Sequence, residues 1–310
     1  MNYHYLVYLS LIVLLISYYI TEYTHLTHTD RVLSRLYPTT LKKEDSVLSR
    51  KIVGTETLQI LDPFLHFTHF KLKKGQGLPD HPHRGYDTIT YVLKGELAYE
   101  DFHNNSGLLK SGDCQYISSG KGIVHAEISA TDSEILQVWV DVKLHSKFEN
   151  LFIQTFQSEE LTTATGDGIV SKIISGETLG KVSYTITRNP GFIIDTIMMN
   201  DAVWDIDIPA GWNSMIYLLS GEIKVGEDSL RQYEAAMLSQ WDTDLKVKCI
   251  GKCRVFLIAG ETVEETMVVF GQFYMPDYPL AEKAHRDWKE GKDGFEGAVE
   301  WKSRIANGNF

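Results

Sequence analysis

Short runs in which apolar and polar residues alternate make up most of the chain after residue 50. Clear examples are FLHFTHFKL (residues 64–72), EILQVWVDVKL (residues 134–144) and SMIYLLSGEIKV (residues 214–225). Because successive side chains of a strand point to opposite faces, this period of two predicts short β-strands that are buried on one side. Glycine, aspartate, asparagine and proline separate the runs, as is typical between strands. The pattern predicts an all-β body.

Two segments near the C-terminus have a helical pattern instead. PLAEKAHRDWKEG (residues 279–291) and GFEGAVEWKSRI (residues 294–305) carry charges on one face and Ala, Trp, Phe or Ile on the other. We therefore expect two short helices at the end of the chain.

The start of the chain is apolar and predicts a hydrophobic helix that anchors the protein in a membrane. No Lys, Arg, Asp or Glu occurs in residues 1–21, and residues 3–20 just reach the length of roughly 17 residues that a spanning helix needs. A cleaved secretory signal is the alternative, but no basic residue precedes the segment and no small-residue cleavage motif follows it. Basic residues between positions 31 and 43 place the body on the cytosolic side by the positive-inside rule. Polar residues 21–45 predict a linker.

An internal repeat divides the body into two similar halves. GYDTITYVLKGELAYED (residues 85–101) aligns with GWNSMIYLLSGEIKVGED (residues 211–228) at an offset of 126. A repeat of this length predicts a duplicated β-domain, and chains of short strands close into sandwiches, barrels or jelly rolls. We place the anchor and linker in residues 1–45, the first β-domain in residues 46–165 and the second β-domain in residues 166–310.

Charge and cysteine content exclude some classes of protein. The formal net charge of −11 and the lack of a dense basic patch argue against direct binding of nucleic acid. Three cysteines make no disulfide framework and favour a reducing compartment. We interpret Cys249 and Cys253 as structural cysteines, because the alternative of a metal half-site lacks a second Cys or His pair nearby.

Four residues of the first β-domain form a candidate metal site. His81 and His83 are two residues apart, and so are His125 and Glu127, so each pair shares one face of a predicted strand. Two such pairs inside one barrel would supply imidazole and carboxylate ligands for Fe(II), Mn, Ni, Cu or Zn, with a coordination position left open for water or substrate. The spacing of His66 and His69 puts them on opposite strand faces, and we interpret both as structural.

The second β-domain has lost these ligands. No histidine occurs between His145 and His285. We therefore predict one working site and one scaffold domain. At the offset of 126 the four candidate ligands fall on Asp207, Pro209, Gly251 and Cys253.

Several segments resemble the pirin family of the cupin superfamily, from about Val53 to the C-terminus. The matching segments are DPFLHFTHFKL, LPDHPHRGYDTITYVLKGELAYED, SGDCQYISSGKGIVHAE, LQVWV and KDGFEGAVEWKSRI. The resemblance implies two tandem cupin β-barrels, the fold also called a double-stranded β-helix or jelly roll. It also implies Fe(II) in the N-terminal barrel, with other divalent transition metals as alternatives, and a metal-free C-terminal barrel. The implied ligands are His81, His83, His125 and Glu127.

Two features depart from the family pattern. Cupins place a glutamate ligand four residues after the second histidine, where this chain has Asp87. We assign Asp87 to the surroundings of the metal and not to its ligands. The N-terminal hydrophobic segment also has no counterpart in the family, so we predict a membrane-anchored protein, with the cytoplasmic or nuclear location of typical pirins as the alternative.

The resemblance implies a quercetin 2,3-dioxygenase activity, in which a flavonol binds the metal and O2 cleaves its ring with loss of carbon monoxide. In this hypothesis Glu127 is the catalytic residue that takes the flavonol proton. The alternative is a non-catalytic, iron-binding redox sensor that acts on a protein partner, as some pirins do for transcription regulators. No residue is assigned to substrate binding. Tyr86, Tyr116 and Ile123 flank the histidine motifs and are interpreted as core residues.

Overall fold

The computed structural model describes residues 29–44, 47–199 and 201–308, which are mostly β-strand. The strands up to residue 156 are β1 (Leu33–Pro38), β2 (Lys42–Glu44), β3 (Val47–Val53), β4 (Phe64–Leu72), β5 (Gly77–His83), β6 (Tyr86–Lys94), β7 (Glu96–Asp101), β8 (Ser106–Lys110), β9 (Cys114–Ser118), β10 (Ile123–Ser129), β11 (Ser133–Asp141) and β12 (Phe152–Phe156). The strands that follow are β13 (Thr162–Gly166), β14 (Ile169–Ser175), β15 (Glu177–Thr178), β16 (Lys181–Val182), β17 (Gly191–Met199), β18 (Val203–Asp207), β19 (Asn213–Val225), β20 (Asp228–Arg231), β21 (Glu234–Leu238), β22 (Asp244–Gly260), β23 (Val268–Phe270) and β24 (Phe273–Met275). Within the described residues, α1 spans Tyr278–Glu290, and short 3-10 helices span Ser146–Phe148 and Ile305–Asn307.

The strands form two barrels. In the first barrel, a sheet of order β12-β9-β6-β11-β4-β3-β2 is completed by a sheet of order β5-β10-β7-β8. In the second barrel, the order is β1-β21-β19-β22-β17-β14-β13, with β18 added to β22 and β20 added to β19. The strand pairs are antiparallel, which is the arrangement expected when one face of a sheet packs on a core. The domain boundaries at residues 45 and 165 stay a prediction, and we note that β13, which crosses the second boundary, pairs with β14.

The two barrels pack against each other through equivalent strands. Tyr91 of β6 and Tyr217 of β19, which align in the sequence repeat, belong to one buried cluster. The ring of Phe67 lies 5.6 Å from that of Tyr217 and 5.7 Å from that of Phe256, centroid to centroid. This shared apolar core gives the barrels one continuous interface.

The predicted linker is wrong for its second half, because residues 33–38 form β1 and pair with β21 of the second barrel. Arg31 is buried just before this strand, and its guanidinium donates to Ser214 Oγ and to backbone carbonyls of the second barrel, including those of Pro209 and Ser239. Because the sequence of this segment is charged, it did not indicate a strand. Backbone pairing and one buried arginine hold this strand in place.

The C-terminal segment returns to the first barrel. The first predicted helix is confirmed as α1, which begins after the N-cap Asp277 and ends at Gly291 in the left-handed conformation. The second predicted helix is wrong, because residues 294–304 are bends, turns and irregular chain. Gly294 and Gly297 have φ angles of +104° and +88°, which an α-helix does not allow.

Cys249 and Cys253, interpreted as structural cysteines, are paired with each other. The two sulfur atoms are joined in a disulfide, with the Cα atoms 6.0 Å apart. Gly251 between them has a φ of +77°, so the chain bends sharply within β22 and brings the two cysteines together. Cys114 is a free, buried thiol.

The predicted N-terminal hydrophobic helix, residues 3–20, lies outside the described residues. In residues 29–44, 47–199 and 201–308, no helix has both the length and the apolar character required to cross a bilayer.

Candidate metal centre

Neighbouring antiparallel strands bring three of the four predicted ligands together. On β5, the alternation of side chains places His81 and His83 on one face. On β10, His125 lies directly opposite His81 in the pairing register. The register shifts between His125 and Glu127, because β5 has an extra residue there. Strand pairing therefore forms the cluster from residues that lie 42 positions apart in the chain.

The three imidazoles are close enough to share one ion. His81, His83 and His125 each offer a ring nitrogen, and these atoms lie within 4.8 Å of one another. The ring centroids are 4.4 Å apart for His81 and His125, and 4.7 Å apart for His81 and His83. His83 and His125 bring their Nε2 atoms to 3.4 Å. The prediction that these three histidines converge is confirmed by the geometry.

The outer nitrogens of two histidines are fixed by hydrogen bonds. Nδ1 of His81 lies 2.8 Å from the Pro79 carbonyl and must donate its proton to it. Nδ1 of His83 is hydrogen-bonded to the hydroxyl of Thr88 at 3.0 Å. The Pro79 carbonyl sets the tautomer of His81 that leaves Nε2 with a free lone pair, as metal-binding histidines require, and the Thr88 hydroxyl, which can accept from Nδ1, allows the same tautomer of His83.

Burial keeps the imidazoles neutral. It lowers the pKa of His81, and it lowers the pKa values of His83 and His125 well below the usual range; a proton on one histidine would also disfavour a proton on its neighbours. Neutral imidazole is the form that binds a metal ion, so the site needs no proton release from these rings at neutral pH.

The cluster fits a transition-metal ion. Nε2 of His81 is buried and has no hydrogen-bond partner among the described residues. A buried nitrogen without a partner is costly. A cation bound by the three nitrogens removes this cost, and imidazole suits Fe, Ni, Cu and Zn.

Glu127 lies beside this cluster, and both of its carboxylate oxygens are already hydrogen-bonded. It is fully buried on β10. Oε1 accepts from the Thr90 hydroxyl at 2.8 Å, and Oε2 accepts from the Gln137 amide at 2.7 Å. Burial raises the pKa of this carboxyl group. Its oxygens are not part of the group of ligand atoms that the three histidines form, so its role as fourth ligand stays a prediction.

Asp87 lies away from the site, and our assignment of this residue to the surroundings of the metal is wrong. Thr88 and Thr90 of β6 face the histidines and Glu127, so Asp87 faces the opposite side, where it accepts from the Tyr116 hydroxyl. Burial raises the pKa of Asp87 to about 6. The chain turns at Gly85, with a φ of +79°, so strand parity does not carry over from β5 to β6.

We interpreted His66 and His69 as structural residues. This interpretation fits His69, but it did not predict where the side chain of His66 lies. His69 is buried between the barrels, with Nδ1 3.0 Å from the Tyr217 hydroxyl and Nε2 3.3 Å from the Glu134 carboxylate. His66, on the opposite face of β4, is half-buried and is hydrogen-bonded to the hydroxyl of Tyr274.

A pocket of about 420 Å³ opens beside His81; we call it the site pocket. Trp139 stacks on Tyr86 with centroids 4.9 Å apart and lies 5.0 Å from the ring of His83. A larger cleft of about 610 Å³ around Lys121 and Glu296 has no part of the histidine cluster in its wall. The side chains that line the site pocket are Lys51, His66, Thr68, Phe70, Leu78, Pro79, Asp80, His81, Gln137, Trp139 and Gln272.

Sequence reasoning did not select Gln137 and Trp139. The sequence does contain a signal that could have identified them. Their i, i+2 spacing in LQVWV puts both side chains on the face of β11 that points into the barrel. Tyr86, Tyr116 and Ile123 are buried core residues, as interpreted, with exposed fractions of 0%, 1% and 0%.

The second barrel has apolar residues at the positions of all four predicted ligands. Leu245 lies opposite Ile206, just as His125 lies opposite His81. Val247 lies opposite Val225 of β19. In the same way, Glu127 lies opposite Tyr99 of β7, the strand of the first barrel that is equivalent to this part of β19. The register therefore corrects the simple offset of 126 near the strand ends. The residues that replace the four ligands are Ile206, Ile208, Leu245 and Val247, all of them buried.

Comparison with known proteins agrees with this architecture. The Pirin family model matches residues 45–140, and the model of the Pirin C-terminal cupin domain matches residues 193–294. Pirin of Rattus norvegicus is 38% identical over 266 residues, which cover 83% of this chain and 91% of the rat protein.

Solved structures share the fold. Quercetin 2,3-dioxygenase from Acinetobacter baumannii superposes with a TM-score of 0.78 at 22% identity and covers 86% of this chain and 99% of its own. Bacterial pirin YhhW in complex with nickel(II) from Escherichia coli gives a TM-score of 0.61 at 15% identity, with 74% and 99% covered. At these identities the likeness shows a cupin-type fold of two domains. With the identity to rat pirin and the two family matches, it follows that the chain belongs to the pirin family.

Proposed function

We propose that this protein is an iron-dependent dioxygenase of the quercetin 2,3-dioxygenase type, which cleaves the ring of a flavonol with O2 and releases carbon monoxide. The observation that carries the proposal is the arrangement of three neutral histidines whose inner nitrogens converge beside an aromatic pocket that His81 lines. The fold is also shared with a bacterial protein named for this activity.

His81, His83 and His125 would hold the ion, with Glu127 as a fourth ligand. Bound Fe(II) would act as a Lewis acid and as an electron relay between the flavonol and O2. The imidazoles are held in the binding orientation by the Pro79 carbonyl and the Thr88 hydroxyl. The chain thus provides a preformed set of neutral ligands before the ion arrives.

Glu127 would take the proton of the flavonol hydroxyl. Burial raises the pKa of its carboxyl group, which makes the carboxylate a better base than an exposed glutamate. The Gln137 amide donates to Glu127 Oε2, and the Trp139 indole N–H donates to Gln137 Oε1 at 3.1 Å. Because the indole occupies the amide oxygen, the NH2 group of Gln137 must face the carboxylate.

The site pocket would bind the flavonol rings. A volume of about 420 Å³ lies in the range of small-molecule pockets. Trp139 and Phe70 give it aromatic walls, and His81 connects it to the metal ligands. An aromatic substrate that lies along Trp139 would bring one of its oxygens to the histidine cluster.

The test is turnover by the iron-loaded full-length chain with quercetin, followed as oxygen consumption and carbon monoxide release. We expect both signals in wild type and neither in His83→Ala. Ile208→Val, at the equivalent position of the second barrel, is the matched control and should keep the activity. If the protein binds iron but turns over neither quercetin nor any other flavonol, the dioxygenase proposal fails, and a redox-sensing role becomes the better explanation.

For the location of the protein, we propose that residues 3–20 anchor it in a membrane, with the barrels in the cytosol. The sequence pattern alone supports this proposal. A reporter fused after residue 45 should stay with membranes after an alkaline wash. A soluble, uncleaved fusion would contradict the anchor.

A further inference from the structure

His66, in the wall of the site pocket, forms a hydrogen-bonded pair with Tyr274, which lies next to it but outside the residues that line the pocket. His66 lies on β4 of the first barrel, and Tyr274 lies on β24, in the segment that follows the second barrel. Nε2 of His66 and the Tyr274 hydroxyl are hydrogen-bonded across 208 positions of the chain. The pair is therefore held from two sides, by a barrel strand and by the returning C-terminal hairpin.

Trp139 connects this pair to the candidate metal ligands. The indole ring lies 4.6 Å from the ring of His66, 6.0 Å from that of Tyr274 and 5.0 Å from that of His83. The pair and the metal ligand His83 therefore contact the same aromatic side chain. A planar ligand along Trp139, with one oxygen at the metal, would bring its other end towards His66 and Tyr274.

The pair can bind a neutral hydroxyl group. Burial, together with the positive charge of Lys51, lowers the pKa of His66 to about 4, so the ring is uncharged at neutral pH. A neutral imidazole and a phenol share one proton in their mutual hydrogen bond. The Tyr274 hydroxyl then still has a donor or an acceptor site, depending on the tautomer of His66, which suits a hydroxyl group of the ligand.

We infer that His66 and Tyr274 determine specificity by binding a second hydroxyl group of the aromatic substrate, so that the site pocket selects polyphenols. Aromatic ligands whose oxygens lie only at the metal-binding end lack this contact. The inference rests on the proposed function because it takes the site pocket as the place of the substrate. It concerns binding, however, and not the oxygenation step.

The experiment compares two flavonols under anaerobic conditions, where no turnover takes place. Isothermal titration calorimetry with the iron-loaded full-length chain would measure the Kd values of quercetin and of 3-hydroxyflavone, which lacks the other hydroxyl groups. Wild type should prefer quercetin. Tyr274→Phe and His66→Leu should reduce this preference about three- to tenfold, as for the loss of one neutral hydrogen bond, and should leave the Kd of 3-hydroxyflavone unchanged.

Two variants separate recognition from structural support. His66→Gln keeps a hydrogen-bonding group near the position of Nε2 and should retain most of the preference. Tyr278→Phe removes a hydroxyl from a half-exposed tyrosine of α1, outside the site pocket, and should change nothing.

Each outcome decides the inference. An unchanged preference in Tyr274→Phe overturns it, and so does an equal loss of affinity for both ligands, which a purely structural role would produce. Absence of binding by either flavonol overturns it as well. If the preference is present and sensitive to Tyr274→Phe but no carbon monoxide appears in air, the inference stands and the dioxygenase proposal alone fails.

Discussion

The two barrels share a strand framework but fill their interiors with different side chains. In the first barrel, β5 and β10 direct three histidines and Glu127 inward. In the second barrel, the equivalent strands β18 and β22 direct isoleucine, leucine and valine inward. The supporting residues differ in the same way, because Thr90 of the first barrel aligns with Ile216 of the second.

This difference shows how a chemical site is accommodated in a buried interior. A buried polar group costs free energy unless it is hydrogen-bonded. The first barrel meets most of that cost with matched partners, such as Thr88 for His83 and Gln137 for Glu127. It leaves His81 Nε2 without a partner among the described residues. The second barrel avoids the cost by apolar packing, so the first barrel gains a binding site and the second gains stability.

The sharpest test of the comparison replaces the same position in each barrel. His83→Ala removes one of three converging imidazoles, and we expect the purified protein to lose its metal ion, as measured by elemental analysis. Ile208→Ala should leave the metal content unchanged. It creates a cavity in a fully buried core, so we expect a loss of about 2–5 kcal/mol of unfolding free energy in urea titrations. Metal loss in Ile208→Ala would show that the barrels do not have separate roles.

Metal removal should affect the first barrel alone. A ligand present at 100 times its Kd stabilises the folded state by about 2.7 kcal/mol. We therefore expect chelation to lower the melting temperature of wild type and of Ile208→Ala by similar amounts. His83→Ala should show no shift. A chelator effect of wild-type size in His83→Ala would place the bound metal elsewhere.

Gln137→Leu replaces the amide side chain that supports Glu127 with an apolar side chain. The carboxylate loses its donor at Oε2, and the indole N–H of Trp139 loses its acceptor. Loss of such a supporting hydrogen bond typically lowers metal affinity about 10- to 100-fold, which a competition titration with a chelating dye would measure. Gln137→Glu is not a suitable control because it adds a charge. Gln154→Leu, which makes the same change on an outer strand, is the suitable control. Unchanged affinity in Gln137→Leu would argue against Glu127 as a ligand.

The sequence predicted the histidine cluster well because the cluster depends on local rules. Strand alternation alone puts His81 beside His83 and His125 beside Glu127, and antiparallel pairing of β5 and β10 then brings His125 opposite His81. The repeat likewise predicted two similar domains, because alternation and turn residues survive duplication. The confirmed parts of the prediction are therefore those that a few residues determine.

The errors come from long-range contacts and from turns. The assignment of Asp87 failed because the chain turns at Gly85, between β5 and β6, so Asp87 faces away from the histidines of β5. The position of Tyr274 beside His66 depends on a hairpin that returns from the far end of the chain, which no local pattern indicates. The strand β1 depends on pairing with β21, two hundred residues away in the chain. Such contacts leave no periodic signal in the sequence.

Asp87 gives the smallest and most selective test, because the aligned residue of the second barrel is Asn213. Burial raises the pKa of Asp87 to about 6, above the usual value for an aspartate, so the folded state disfavours the ionised carboxylate. Below about pH 4, Asp87 is protonated in both the folded and the unfolded state, so its burial costs no stability through ionisation. This advantage is lost as the pH rises through 6. At about 1.4 kcal/mol per pKa unit, the cost above that pH is on the order of 1–3 kcal/mol.

Asp87→Asn should remove this cost, because the amide oxygen still accepts from the Tyr116 hydroxyl and no charge remains. We expect the variant to be more stable than wild type at pH 8 and equally stable near pH 4, as measured by urea unfolding across that range. Asp167→Asn, at an exposed turn of the second barrel, controls for the general loss of one negative charge and should show no such trend. A gain in Asp87→Asn that does not depend on pH would mean that ionisation of Asp87 is not its cause. A pH-dependent gain would show that the first barrel carries its polar side chains at a cost even outside the metal centre.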